Sequence, residues 1–137
     1  MSNSPPPDQT AIRSELPPLT LGAFSVTHET TGDRVVVRLN GNADSKAAKA
    51  FERYLEHLHD LAVGARLRVV VLDFRELYFL TSSCIKCLTD FIRRDMATEP
   101  ASQYRIRLLT TPALRWQEKS FDVLCQLAPL LVTAATE

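Results

Sequence analysis

The chain has 137 residues, 45% of them apolar and 23% charged, which suits one globular domain with a single core. Sixteen basic residues balance sixteen acidic ones, so the charge speaks against a nucleic-acid surface or a polybasic membrane anchor and for a protein partner. Three cysteines do not make a secreted disulfide framework, and Pro5, Pro6, Pro7, Pro17 and Pro18 interrupt any signal peptide or spanning helix, so reduced thiols, no membrane contact and a cytoplasmic location are expected.

Residues 1–20 are rich in proline and polar side chains, cannot bury much apolar area, and are expected to be a disordered tail ahead of a domain at 21–137. From Phe24 the pattern alternates through Val26 and His28, turns at Thr30-Thr31-Gly32-Asp33, and returns along Val35-Val36-Val37-Arg38-Leu39 to Gly41, as a β-hairpin does. Asp44 or Ser45 can cap the next segment, where Ala48, Phe51, Leu55, Leu58 and Ala62 recur at helical spacing until Gly64.

Leu67-Arg68-Val69-Val70-Val71-Leu72 is apolar on both faces, as a central strand would be, and Asp73 to Leu80 reads as an apolar loop behind it. A helix opening near Ser83 then gathers Cys84, Ile85, Cys87, Leu88, Phe91 and Ile92 on one arc, which only Asp95 breaks. Tyr104 to Leu109 reads as another strand, Thr111-Pro112 suits the start of a last helix to about Leu127, and Leu130-Leu131-Val132 after Pro129 suits a short edge strand. The order predicts an α/β fold: a small mixed sheet of four to five strands with three to four helices mainly on one face.

The chemistry-bearing segment is Tyr78-Phe79-Leu80-Thr81-Ser82-Ser83-Cys84-Ile85-Lys86-Cys87. Hydroxyls at a helix start cap free backbone N–H groups, and a phosphate placed there would meet the same donors and the positive end of the helix dipole. Three adjacent hydroxyls exceed what one cap needs, and phosphorylation would change the local charge by roughly −1.5 to −2.

With these elements in order, residues Phe24 to Val132 resemble the STAS family of small α/β regulators, whose best-known members are bacterial anti-sigma-factor antagonists. The points of likeness are Val35-Val36-Val37-Arg38-Leu39-Asn40-Gly41 leading to Asp44, then Val69-Val70-Val71-Leu72-Asp73-Phe74, Phe79-Leu80 before the hydroxyls, and Ile85, Leu88 and Arg93-Arg94 in the helix. The family's switch is typically Asp-Ser-Ser-Gly, phosphorylated on its first serine. Thr81-Ser82-Ser83-Cys84 stands there, with threonine for the acidic residue and cysteine for the glycine, which implies Ser82 as acceptor. Tyr78 to Asp90 also resembles a STAS-like branch that uses threonine, which implies Thr81; Ser83 completes the candidate set.

The resemblance implies a non-enzymatic phosphoprotein that switches protein partners in transcriptional signalling. The partners would be a serine/threonine kinase of the anti-sigma type and a phosphatase, with a homodimer left open. Tyr78, Phe79, Cys84 and Lys86 are the expected partner-binding residues, and no cofactor or metal is called for.

Two other readings stand beside this one. A STAS-like adaptor that has lost phosphorylation would serve as a scaffold subunit. Cys84-Ile85-Lys86-Cys87 at a helix start could instead lower a thiol pKa for redox exchange, although both sulfurs fall on the apolar arc, where cysteine behaves as a small hydrophobe. His57 and His59 lie two apart on a helix, about 160° around its axis, and cannot share a metal; both are expected at the surface, as is His28. Trp116 on the last helix is expected to be core or half-buried cover.

Overall fold

In the computed structural model, which describes Leu16 and residues 18–136, the alternation of the hairpin is realised in strands β2 (Phe24–Thr31) and β3 (Arg34–Ala43). Phe24, Val26, Val35, Val37 and Leu39 face the core, and the intervening Thr27, Arg34 and Arg38 are exposed. A short strand β1 (Leu19–Leu21) pairs antiparallel with β2, and Leu16 is buried in the core. Leu16 and residues 18–20, within the stretch expected to be a tail, are thus part of the fold: apolar Leu16 and Leu19 pack against the core. The rest of that expected tail lies outside the described residues.

Gly41 does not end β3. It sits within the strand at φ +92°, where the mirror-image backbone is open to glycine, and a Cβ there would overlap the carbonyl oxygen of Ala23. Asn42 N donates to that same oxygen at 3.1 Å, so the close approach holds the two strands in register. Asp44 accepts from the amides of Lys46 and Ala47 and caps a single 3₁₀ turn, Ser45–Ala47, that leads into helix α1 (Ala48–Gly64).

Strand β4 (Val69–Leu80) pairs parallel with β3, then with β5 (Arg105–Thr110), which pairs parallel with β6 (Val132–Thr136). The sheet has six strands in sequence order, β1 to β6, rather than four to five. The expected edge strand lies a little later in the chain, and β1 was not foreseen. Helices α1, α2 (Ser82–Met96) and α3 (Trp116–Leu127) cover one face, and between them and the sheet lie Phe51, Leu58, Phe74, Leu88, Ile92 and Phe121. Each such side chain contributes roughly 1.5–3 kcal/mol by leaving water.

Helix α3 starts at Trp116 and not at Pro112. Thr111 Oγ1 accepts from Ala113 N and Thr111 O from Leu114 N, so the Thr-Pro pair closes a turn before the helix begins. His59 is buried, not at the surface, because its Nδ1 lies 2.7 Å from the hydroxyl of buried Tyr104. His28 is half-buried, 3.4 Å from Tyr54 Oη. Trp116 is half-buried against Phe121.

Candidate functional site: the entrance to helix α2

The apolar loop expected after Leu72 is the continuation of β4. Pairing with β3 continues to Ala43↔Leu80, and at two irregularities, between Arg38 and Asn40 and between Gly41 and Asn42, β4 carries an extra residue. These bulges disturb the alternation. Leu77 and Leu80 point to the core, whereas Tyr78 and Phe79 are 56% and 49% exposed beside each other. Tyr78 Oη donates to Glu76 Oε1 at 3.2 Å.

Pairing of β4 with β5 stops at Asp73↔Leu109, so the far half of β4 has no strand on that side. Gln117, 1% exposed on α3, takes the place of one. Its Nε2 donates to Phe74 O at 2.7 Å and approaches Leu77 O at 3.4 Å, while its Oε1 accepts from Thr111 N at 3.0 Å. At the same bend Arg75 grips Asp73 through two side-chain bonds of 2.9 and 2.8 Å and donates its backbone N–H as well. Burial opposes ionisation of Asp73, but the bonds from Arg75 outweigh it and hold the carboxyl below its ordinary range.

Thr81 is the N-cap of α2. Its backbone is extended, its Oγ1 accepts from Cys84 N at 3.4 Å, and its own amide donates to Ala43 O at 3.0 Å, so it is committed to the helix start. Ser82 and Ser83, the first two residues of the helix, are exposed, and no hydrogen bond to another described residue occupies either hydroxyl. Their amides belong to the first turn, which lacks intrahelical acceptors.

The four expected contact residues separate. Tyr78, Phe79 and Lys86 are exposed, with Lys86 paired to Asp90 at 3.2 Å, whereas Cys84 is 0% exposed and cannot touch a partner without unfolding. Cys84 Sγ lies 3.7 Å from Asp44 O and Cys87 Sγ 3.5 Å from Ala48 O, both under α1 and its leading turn. Burial pushes the Cys84 thiol up, and burial foremost pushes Cys87 to about 11. A redox-exchange site lowers its thiol pKa; the environment here raises both.

Gln117 was missed by sequence reasoning, although its spacing four before Phe121 and seven before Leu124 places it on the buried face of α3. Asp95 was noticed only as a break in the apolar arc, and it is fully buried. Among the described residues, no helix is long and apolar enough to cross a membrane, and no group of three or more His, Cys, Asp or Glu could hold a metal ion.

No protein-family model matches the chain, and no curated protein sequence does. Solved structures do match. An anti-sigma factor antagonist from Mycobacterium paratuberculosis aligns over 75% of this chain and 80% of its own at 16% identity, with a TM-score of 0.57. The anti-sigma factor antagonist SpoIIAA in its unphosphorylated form aligns over 82% of this chain and 89% of its own at 24% identity, with a TM-score of 0.53. SpoIIAA from Bacillus in its phosphorylated form aligns over 84% of this chain and 93% of its own, again at 24% identity and a TM-score of 0.53. The six-stranded mixed sheet with helices on one face is thus the STAS-like fold of anti-sigma factor antagonists.

Proposed function

We propose that this protein is a partner-switching regulator that is not itself an enzyme. Unmodified, it binds a serine/threonine kinase of the anti-sigma type through Tyr78, Phe79, Lys86 and the exposed first turn of α2. The kinase transfers the γ-phosphoryl group of ATP to a hydroxyl oxygen of that turn, releasing ADP and the hydroxyl proton, and the complex then separates until a phosphatase restores the alcohol.

The observation that carries this reading is the exposure of Ser82 and Ser83 at a helix entrance immediately beside Tyr78 and Phe79. Ser82 is the preferred acceptor. Thr81 is committed to capping, and phosphorylation there would remove the acceptor that Cys84 N uses. The likeness to SpoIIAA at the same TM-score in its unphosphorylated and phosphorylated forms supports a switch in which the fold persists and the surface charge changes. A dianion at the rim of an interface weakens binding tenfold for about 1.4 kcal/mol, and like-charge juxtaposition costs several.

The test is incubation with an anti-sigma-type kinase and ATP, followed by mass spectrometry of the peptide spanning residues 81–86. Phosphate on Ser82, together with a Ser82→Asp variant that keeps its melting temperature and loses kinase affinity about tenfold or more, is the expected result. A chain that binds the kinase yet stays unmodified would be the constitutive scaffold. Unfolding of Ser82→Asp would make the hydroxyl structural.

A further inference from the structure

At the opposite end of β4, where β4 and β5 begin and α1 ends, the surface opens into a cleft of about 910 Å³. Arg66, Arg68 and Arg105 line it, all three exposed, and no acidic side chain shares the lining. None of the three guanidinium groups has a hydrogen bond or ion pair with another described residue. Arg105 N donates to Arg68 O at 2.9 Å, so the β-ladder itself keeps these two residues side by side.

This concentration of charge does not follow from composition. The chain is neutral overall, with sixteen acidic residues available to alternate with the basic ones, yet three arginines line this one cleft and no acidic residue does; Asp33, whose carbonyl accepts from Arg68 N at 2.7 Å, has no ion pair with any of them. Arg66 adds a second observation. It occupies the left-handed position that closes α1, at φ +55°, with Leu67 N returning to Ala62 O at 2.8 Å in the manner of a Schellman turn. Glycine adopts that backbone at least cost, yet Gly64, two residues earlier, is the last residue of the helix and does not hold the left-handed position. An arginine that lines the cleft thus holds a backbone that glycine would hold with less strain.

We propose that this cleft binds a small oxyanion carrying two or more phosphate or carboxylate groups. Guanidinium forks match both groups bidentately, and a ligand with several anionic centres is what three unneutralised arginines around one hollow can hold. The side chains involved are separate from the α2 entrance and stand or fall independently of the phosphorylation proposal.

Isothermal titration calorimetry of the full chain with sodium tripolyphosphate and, separately, with citrate tests it, each in low salt and at physiological ionic strength. Saturable binding of either anion is expected, and whichever binds more tightly identifies phosphate or carboxylate as the recognised group. Arg68→Gln and Arg105→Gln should each weaken it about tenfold or more. Arg93→Gln, on the exposed side of α2, should leave it unchanged. Arg66→Gly supplies a variant that relieves the backbone, and it should melt no lower than the parent while losing affinity. Absence of saturable binding by both anions, or equal weakening by Arg93→Gln, would overturn the proposal.

Discussion

Replacement of Asp95 by asparagine should stabilise the protein at neutral pH and leave it unchanged in acid. Asp95 is 0% exposed; one carboxylate oxygen accepts from Tyr104 N at 3.2 Å, and the other has no partner among the described residues. Burial pushes its pKa from 3.8 to about 6, against the smaller opposing pull of the Tyr104 bond. Between those two values the folded protein keeps a proton that the unfolded chain has released. Its contribution to stability is therefore complete below about pH 4, falls as pH rises through 6, and is flat above. A shift of about two units at 1.36 kcal/mol each amounts to about 3 kcal/mol lost across that window. Asp95→Asn cannot ionise and retains an amide oxygen for Tyr104 N. His59, bonded to Tyr104, has its pKa lowered by burial first and then by Arg94, but its titration is common to both proteins and cancels in the difference. Urea unfolding should give the two proteins equal stability near pH 4 and the variant an advantage of about 2–3 kcal/mol at pH 7.5. Parallel stability curves across the whole range would refute the reasoning, because they would mean that the buried carboxylate ionises without cost.

Gly41→Ala should cost more than about 3 kcal/mol or abolish folding, since the added Cβ meets the Ala23 carbonyl in a left-handed backbone; denaturant midpoints report it. Cys87→Ser should destabilise by roughly 1–3 kcal/mol by burying a hydroxyl, and alkylation of Cys84 and Cys87 should be far slower in the native protein than in urea. Thr81→Ala should cost about 1 kcal/mol through loss of the cap, whereas Ser82→Ala should fall within about 0.5 kcal/mol of the parent in the same thermal unfolding series. A reversed order would move the cap to Ser82 and the free hydroxyl to Thr81.

The hairpin, the core faces of α1 and α2 and the central strand were legible in sequence because their apolar patterns are long, with Asp95 the one break in the arc of α2. The far half of β4 was not. Bulges at Phe74-Arg75 and at Tyr78 break the alternation, so a strand that runs to Leu80 reads as a loop. The hydroxyl cluster was found at its helix entrance, but the division of labour within it, Thr81 holding the cap and Ser82 facing outward, depends on a backbone turn that residue types do not encode. Burial of His59 and Gln117 escaped because each is paid for by partners distant in the chain, Tyr104 for one and Phe74 for the other.

Gln117 also decides how rigidly the end of the molecule that carries the proposed switch is mounted. A strand flank with no neighbour would ordinarily fray on its own, and the projecting part of β4 carries both exposed aromatics and the start of α2. One amide ties this flank to α3 through two buried bonds, to Phe74 O and Leu77 O, while its oxygen, held by Thr111 N, fixes the amide's orientation. A Gln117→Glu exchange, which faces two carbonyls with an oxygen where an N–H had been, would loosen the mount while leaving every residue of the contact surface in place.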